Sequence, residues 1–198
     1  MTRIKLCGLS RKKDIETANA LLPEYVGFVF APGSRRRVTT EQAEELKHLL
    51  NPGIHVVGVF VDEAPARVAE LTQRGIIDLI QLHGNEDEAY LMELRRLTKA
   101  PVIQAFRVRS SDDLAAAAES TADCVLLDAG AGDGKTFDWA MLKGFERPYF
   151  LAGGLTPENV TSAVAALRPF AVDVSSGIET DGVKDPVKMR AFVKAARE

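Results

Sequence analysis

The sequence is poor in cysteine, histidine and tryptophan, and it has no long apolar run. Its 198 residues include 2 Cys, 3 His and 1 Trp. Cys7 and Cys124 are far apart and form no C-x-x-C pair, which excludes a disulfide framework and a cysteine-based zinc site. His48, His55 and His83 fall at no metal-ligand spacing, so no metal is expected. Nothing approaches the ~18 consecutive apolar residues of a membrane span. The opening MTRIKLCGLS carries no apolar stretch of signal-peptide length, which predicts a cytoplasmic protein. An excess of one charge is also missing. Lys plus Arg is 25 and Asp plus Glu is 28, a net −3. A nucleic-acid binder needs a basic face, and the only basic run here is Arg35-Arg36-Arg37, better suited to a small anion than to a duplex.

What remains is ordinary globular composition, with 46% hydrophobic and 27% charged residues. The chain is long enough for one substantial core. No linker, charge run or low-complexity stretch marks a boundary, so residues 1–198 are expected to form one domain.

Short runs rich in β-branched and aromatic residues recur at 3–6, 25–30, 55–61, 78–82, 101–106, 123–127, 149–152 and 171–174. Each is nearly continuously apolar, the pattern of a strand covered on both faces. Helical patterns fill most of the gaps. Thr39-x-x-Gln42 forms a capping box ahead of Ala43, Leu46, Leu49 and Leu50. Periodic apolar residues predict helices over 64–74, 87–99 and 160–167, and alanine-rich 111–120 reads as another. Thr156-Pro157 and Asp185-Pro186 place a cap before a first-turn proline, opening helices over 160–167 and 187–197. The segment after Asp138 is the weakest helical pattern. Parallel strands need crossover connections, and a helix supplies each one. Eight even β-α units predict an α/β protein, a single (β/α)8 TIM barrel at the small end of that fold, over an open doubly wound sheet.

Chemistry in such a barrel gathers where strands end. The residues there are Cys7-Gly8, Pro32-Gly33-Ser34-Arg35-Arg36, Asp62-Glu63, His83-Gly84-Asn85-Glu86, Arg107, Asp128, Gly153-Gly154 and Ser175-Ser176-Gly177. The last two loops occupy the usual phosphate position of the fold. Glycines there admit close backbone approach, and the serines offer N–H groups and hydroxyls; tight turns are the plainer alternative. Cys7 closes a strand, so its sulfur is expected over the rim, where nearby positive charge such as Arg36 would favour the thiolate. Asp128 ends an apolar run and suits a general acid if partial burial raises its pKa; a helix cap or surface charge is the alternative. Arg36 can clamp a carboxylate through two parallel bonds, while Arg35 and Arg37 are expected to be solvated. His83 suits either substrate binding or a strand-end hydrogen bond. Gly134-Lys135-Thr136 imitates the end of a P-loop, but Ala129 stands where the motif needs glycine.

These segments resemble the phosphoribosylanthranilate isomerase family. The resemblance rests on Lys5-Leu6-Cys7-Gly8-Leu9, Gly27-Phe28-Val29-Phe30, Ser34-Arg35-Arg36, Val57-Gly58-Val59-Phe60-Val61 and Gln81-Leu82-His83-Gly84. It continues through Leu126-Leu127-Asp128, Gly134-Lys135-Thr136-Phe137-Asp138-Trp139, Gly153-Gly154-Leu155 and the nine residues from Pro169 to Gly177. It implies a (β/α)8 barrel that performs an Amadori rearrangement on N-(5-phosphoribosyl)anthranilate in tryptophan biosynthesis, without metal or organic cofactor. It further implies Cys7 as general base, Asp128 as general acid, Arg36 on the anthranilate carboxylate, and Gly153, Gly154, Ser175, Ser176 and Gly177 around the phosphate. His83 and Asp173 are carried as substrate-binding candidates. Arg107 matches no assigned role. A monomer is favoured, with a homodimer as the alternative. The related histidine-pathway isomerase would need a carboxylate base where Cys7 stands and a second glycine-serine phosphate loop. A non-catalytic phosphometabolite sensor on the same barrel would be free to lose Cys7 or Asp128, and both are present.

Overall fold

The computed structural model describes residues 2–128 and 139–198. Eight parallel strands close into a barrel in sequence order: β1 (Arg3–Cys7), β2 (Tyr25–Val29), β3 (His55–Phe60), β4 (Leu79–Leu82), β5 (Val102–Arg107), β6 (Cys124–Asp128), β7 (Tyr149–Ala152) and β8 (Ala171–Val174). The closing pair is β1 on β8, with Lys5 opposite Asp173. Around them lie α1 (Lys12–Leu21), α2 (Thr40–Leu49), α3 (Pro65–Gln73), α4 (Glu88–Leu97), α5 (Ser111–Glu119), α6 (Val160–Leu167) and α7 (Pro186–Arg197). A two-stranded ribbon, β9 (Glu179–Thr180) with β10 (Val183–Lys184), follows β8.

Side chains alternate across each strand, and the two faces have different partners. Ile4, Leu6, Val26, Phe28, Val56, Ile80 and Leu82 point outward into the main core beneath the helices, alongside Leu71, Leu91, Leu94 and Phe192. Burying a side chain of that size contributes about 1.5–3 kcal/mol. The inward set fills the barrel in layers. Val57, Ile103, Leu126, Phe150 and Ala171 form one apolar cluster. Tyr25, Phe150 and Phe170 pack ring to ring at 5.5 and 5.6 Å, and the Arg3 guanidinium lies 4.2 Å over the Phe170 ring. Above them the interior turns polar, with Lys5, Gln81 and Asp173 all buried.

The helix ends show which local signals held. Thr39 and Gln42 exchange the two capping-box bonds, at 2.9 and 3.2 Å. The Asp185 carboxylate accepts from the Val187 N–H at 2.8 Å. At α6 the cap is Asn159 rather than Thr156; the Asn159 side chain folds back to accept from the Thr156 N–H at 2.8 Å. The segment after Asp138 forms only a 3-10 turn, Trp139–Leu142. No pattern predicted α1, whose buried apolar residues are just Ile15 and Ala18. Its start is set instead by Asp14, which accepts from the Ser10 and Arg11 N–H groups and pairs with the Arg11 guanidinium.

Candidate active site

Cys7 and Asp128 are the last residues of β1 and β6, one step earlier than loop positions and therefore held by the ladder. Both lie in the inward-facing phase of their strands, two residues beyond Lys5 and Leu126. Cys7 is buried in a small apolar cluster with Val29, Ala31 and Val59. Its sulfur occupies space that Gly27 leaves open, because a Cβ on Gly27 would lie 2.6 Å from Sγ. A second glycine works on the other side. Gly8 has φ +79°, and a Cβ there would come within 2.5 Å of the Arg36 stem.

Electrostatics around Cys7 differ from the sequence expectation. Burial pushes the thiol up, Lys5 and Lys184 pull it down, Asp173 pushes it up, and the net direction is upward. Burial therefore outweighs the cations, and the resting group is a thiol. The cations that act on it most are Lys5 and Lys184, not Arg36.

Arg36 is already engaged. Its Nε and Nη2 donate to the two oxygens of Glu179 at 2.6 and 2.9 Å, the paired geometry expected for a ligand carboxylate. Nη1 is the guanidinium nitrogen left without a partner among the described residues, so an incoming carboxylate would meet it end-on. Glu179 also accepts from Lys184 at 2.6 Å and from Arg35 at 2.8 Å. Arg35, expected to be solvated, is thus 60% exposed but paired. Burial alone would raise the Glu179 carboxyl; bonds from Arg36 and Lys184 together outweigh it and hold it at about 2.

The far side of the mouth is built on β4. His83 Nε2 lies 3.5 Å from Asp128 Oδ2, long for a hydrogen bond. Its Nδ1 is 2.9 Å from Gln81 Nε2. Gln81 Oε1 accepts from Lys5 Nζ at 2.8 Å, and Lys5 also donates to Asp173 Oδ2 at 2.9 Å. Both ring nitrogens of His83 thus face protein groups. The second oxygen of Asp173, Oδ1, is buried and has no hydrogen-bond partner among the described residues, which suits a group awaiting a ligand.

The seventh and eighth loops meet directly. Gly153 and Gly154 have φ +92° and +66°, conformations that favour glycine. The Gly154 carbonyl accepts from Asn159 at 2.9 Å, which ties the loop to the start of α6. A Cβ on Gly177 would lie 1.9 Å from the Leu155 carbonyl oxygen, so no larger residue fits there. Ser175 differs from the expectation of a free hydroxyl. Its Oγ donates to the Cys7 carbonyl at 3.2 Å and also receives Lys184 Nζ at 3.2 Å. Ser176 is exposed.

Arg107 ends β5 on the exposed side and, with His83, Gln104 and Phe106, borders a cleft of about 620 Å³. A larger cleft, about 820 Å³, opens at the opposite end of the barrel between residues such as His55, Asp78, Thr98 and Pro101. It contains none of the predicted site residues, so the chemistry and not the volume locates the site. The segment around Gly134-Lys135-Thr136 lies outside the described residues. Among the described residues no cluster of three or more His, Cys, Asp or Glu could hold a metal ion. Among them, too, no helix is long and apolar enough to cross a membrane.

Four residues of this arrangement went unread as site residues: Lys5, Gln81, Glu179 and Lys184. A signal existed for two of them. Lys5 and Gln81 are polar residues inside otherwise apolar strands, spaced two before Cys7 and His83 and so on the same inner face.

Comparison with known proteins gives the family and the fold. A protein of Endomicrobium trichonymphae described as N-(5'-phosphoribosyl)anthranilate isomerase is 44% identical over 100% of this chain and 99% of its own length. The crystal structure of phosphoribosyl anthranilate isomerase from Thermotoga maritima superposes with a TM-score of 0.92 at 36% identity, covering 100% of this chain and 99% of that one. Another solved isomerase, in complex with reduced 1-(o-carboxyphenylamino)-1-deoxyribulose 5-phosphate, gives 0.89 at 35% identity, with 100% and 99% covered. With residues 4–195 matching the model of the N-(5'phosphoribosyl)anthranilate (PRA) isomerase family, the chain belongs to that family.

Proposed function

We infer that the chain isomerises N-(5'-phosphoribosyl)anthranilate to 1-(2-carboxyphenylamino)-1-deoxyribulose 5-phosphate through Cys7 as general base and Asp128 as general acid. The rearrangement itself is the activity of the family, in tryptophan biosynthesis. The observation that carries the residue assignment is the placement of Cys7 and Asp128 at the ends of β1 and β6, both in the inward phase at one mouth of the barrel.

Asp128 protonates the furanose ring oxygen as the C1–O bond breaks, and the anilino nitrogen lone pair forms the C1=N bond of a protonated Schiff base. That cation acidifies the C2 hydrogen. Cys7 removes it, the C2–H electrons form the C1=C2 bond, and the C1=N electrons return to nitrogen. The resulting enolamine tautomerises by losing the C2 hydroxyl proton and gaining a proton at C1, which gives the ketone. Because burial keeps Cys7 a thiol at rest, its proton must leave to solvent as the substrate binds; the cationic Schiff base and the Lys5 and Lys184 ammonium groups favour the thiolate at that stage. Arg36 Nη1 holds the anthranilate carboxylate, and Gly153, Gly154, Ser176 and Gly177 hold the phosphate, with the Ser175 hydroxyl bracing β8 against β1. Asp173 Oδ1 is placed for a sugar hydroxyl. Two anionic anchors at opposite ends of the substrate align its reacting carbon between acid and base. The steps use side chains alone. Residues 1–198 act as one catalytic domain in the cytoplasm, as a monomer by preference and otherwise a homodimer; sedimentation velocity separates those two states.

The test is turnover of N-(5'-phosphoribosyl)anthranilate, followed by anthranilate fluorescence, in wild type, Cys7→Ser and Asp128→Asn. The assignment expects turnover in the wild type and a fall of about 10²–10⁴ in each variant, the usual contribution of a general acid or base. Wild-type rates in either variant would remove that residue from its role.

A further inference from the structure

We propose that Lys5 and Gln81, inside the barrel, are positioning residues that keep the His83 proton on Nε2 and so aim an N–H at the Asp128 carboxyl. The proposal rests on Asp128 being the general acid.

The bonding of Lys5 is fixed by its chemistry. A lysine ammonium only donates. Lys5 Nζ is 2.8 Å from the Gln81 side-chain amide, so the oxygen of that amide must face Lys5. The amide NH₂ then faces the other way, where His83 Nδ1 lies at 2.9 Å. An NH₂ can only donate, so Nδ1 must accept and carry no proton. The ring proton of the neutral imidazole is left on Nε2, the nitrogen 3.5 Å from Asp128 Oδ2. Reversing the histidine would set an N–H against the amide NH₂, and reversing the amide would set NH₂ against the ammonium. Each link thus has one orientation. The start of the chain is itself held, because Lys5 is buried and also donates to Asp173 Oδ2 at 2.9 Å.

The consequence is directional. With His83 aimed at Oδ2, the Asp128 carboxyl has a donor fixed on one of its oxygens. When Asp128 gives a proton to the sugar ring oxygen, the new carboxylate already has that donor in place. The 3.5 Å contact is loose, as catalytic hydrogen bonds often are without substrate, and is expected to tighten in the complex. Lys5 also acts on the Cys7 sulfur, so one buried ammonium serves the base directly and the acid through two intervening side chains.

The first test is the His83 tautomer, read by long-range ¹H–¹⁵N NMR of the wild-type protein without substrate. The expected spectrum shows an unprotonated Nδ1 and a protonated Nε2. A proton on Nδ1 of the neutral ring would overturn the proposal. The second test is Gln81→Met, which keeps the volume and removes both polar links, beside Gln81→Glu, which turns the donor facing Nδ1 into an acceptor. Gln81→Met should mix the tautomers and lower kcat about 10-fold with KM within 2-fold. Gln81→Glu should place a proton on Nδ1 and lower kcat further. A Gln81→Met protein that keeps both the wild-type spectrum and the wild-type kcat would overturn the proposal. If either variant fails to fold, the wild-type tautomer still decides. The acid assignment fails separately, if Asp128→Asn retains wild-type turnover while the tautomer is as expected.

Discussion

The two ends of this barrel use the same residue types for opposite purposes. At the end where strands begin, carboxylates complete the sheet. Glu24, just before β2, accepts from the Ile4 N–H of β1 at 2.8 Å. Asp78, just before β4, accepts from the Val56 N–H of β3 at 2.7 Å, and Asp123, just before β6, accepts from the Val102 N–H of β5 at 2.9 Å. The device recurs on alternate strands, whereas at the closing pair of β8 and β1 the Arg3 N–H goes to the Phe170 backbone carbonyl at 3.0 Å. At the end where strands finish, Asp128, Asp173 and Glu179 face histidine, lysine and arginine side chains instead. A carboxylate bonded to backbone N–H groups closes a ladder; one held among side chains can exchange protons or orient a ligand.

The sharpest way to break that contrast is at the finishing end. Cys7→Ser and Asp128→Asn should each lower kcat about 10³-fold while leaving the far-ultraviolet circular dichroism and Tm nearly unchanged. A large loss of Tm with little loss of kcat would put these residues in the structural class. The starting end should show the reverse. Asp78→Ala leaves the Val56 N–H without its acceptor and removes the partner of Lys47. It should cost about 1–3 kcal/mol in urea unfolding, with kcat unchanged; a fall in kcat at full stability would blur the division.

Glu179 tests the middle ground, since it orients Arg36 without meeting the reacting atoms. Glu179→Gln should raise KM several-fold and change kcat little, as measured by steady-state turnover. Its pH signature is also defined. The carboxyl sits at about 2 in the folded protein against an ordinary 4.5, so the stability it lends is complete above pH 4.5 and disappears as pH falls towards 2. The Gln variant should lose that part of the wild-type dependence of Tm on pH between 4.5 and 2; identical slopes would mean that the ion pairs of Glu179 contribute nothing. The smallest effect is expected at Arg35, which shares Glu179 from an exposed position. Arg35→Ala should change stability by at most about 1 kcal/mol, and a larger change would make this outer arginine a full partner of Arg36 on Glu179.

The barrel was legible because eight apolar runs and most of their capping signals are local. Residues within four positions of one another decide them. Cys7, Asp128 and the two glycine loops were legible too, since they follow directly from where strands end. What escaped depends on distance along the chain. Lys5 meets Asp173 168 positions away and Gln81 76 positions away, and no window of sequence joins them. Arg36 was readable as an anion ligand, yet its paired edge faces Glu179, 143 positions on. Helix α1 escaped for a different reason, because its fixed end depends on one aspartate and its apolar stripe is too thin to show a period. The raised Cys7 thiol could not be read at all, since it reflects burial beside Val29, Ala31 and Val59, on or just after the next two strands, rather than any adjacent residue.

The contact between Gly177 and the Leu155 carbonyl bears on how such an enzyme can be altered by evolution or by design. The eighth loop sits so closely on the backbone of the seventh that not even a methyl group fits between them. At this point the two loops can change only together. A larger residue at Gly177 needs a matching retreat of the Leu155 backbone, so a library that reshapes the phosphate end should vary Leu155 and Gly177 with their flanks as one block.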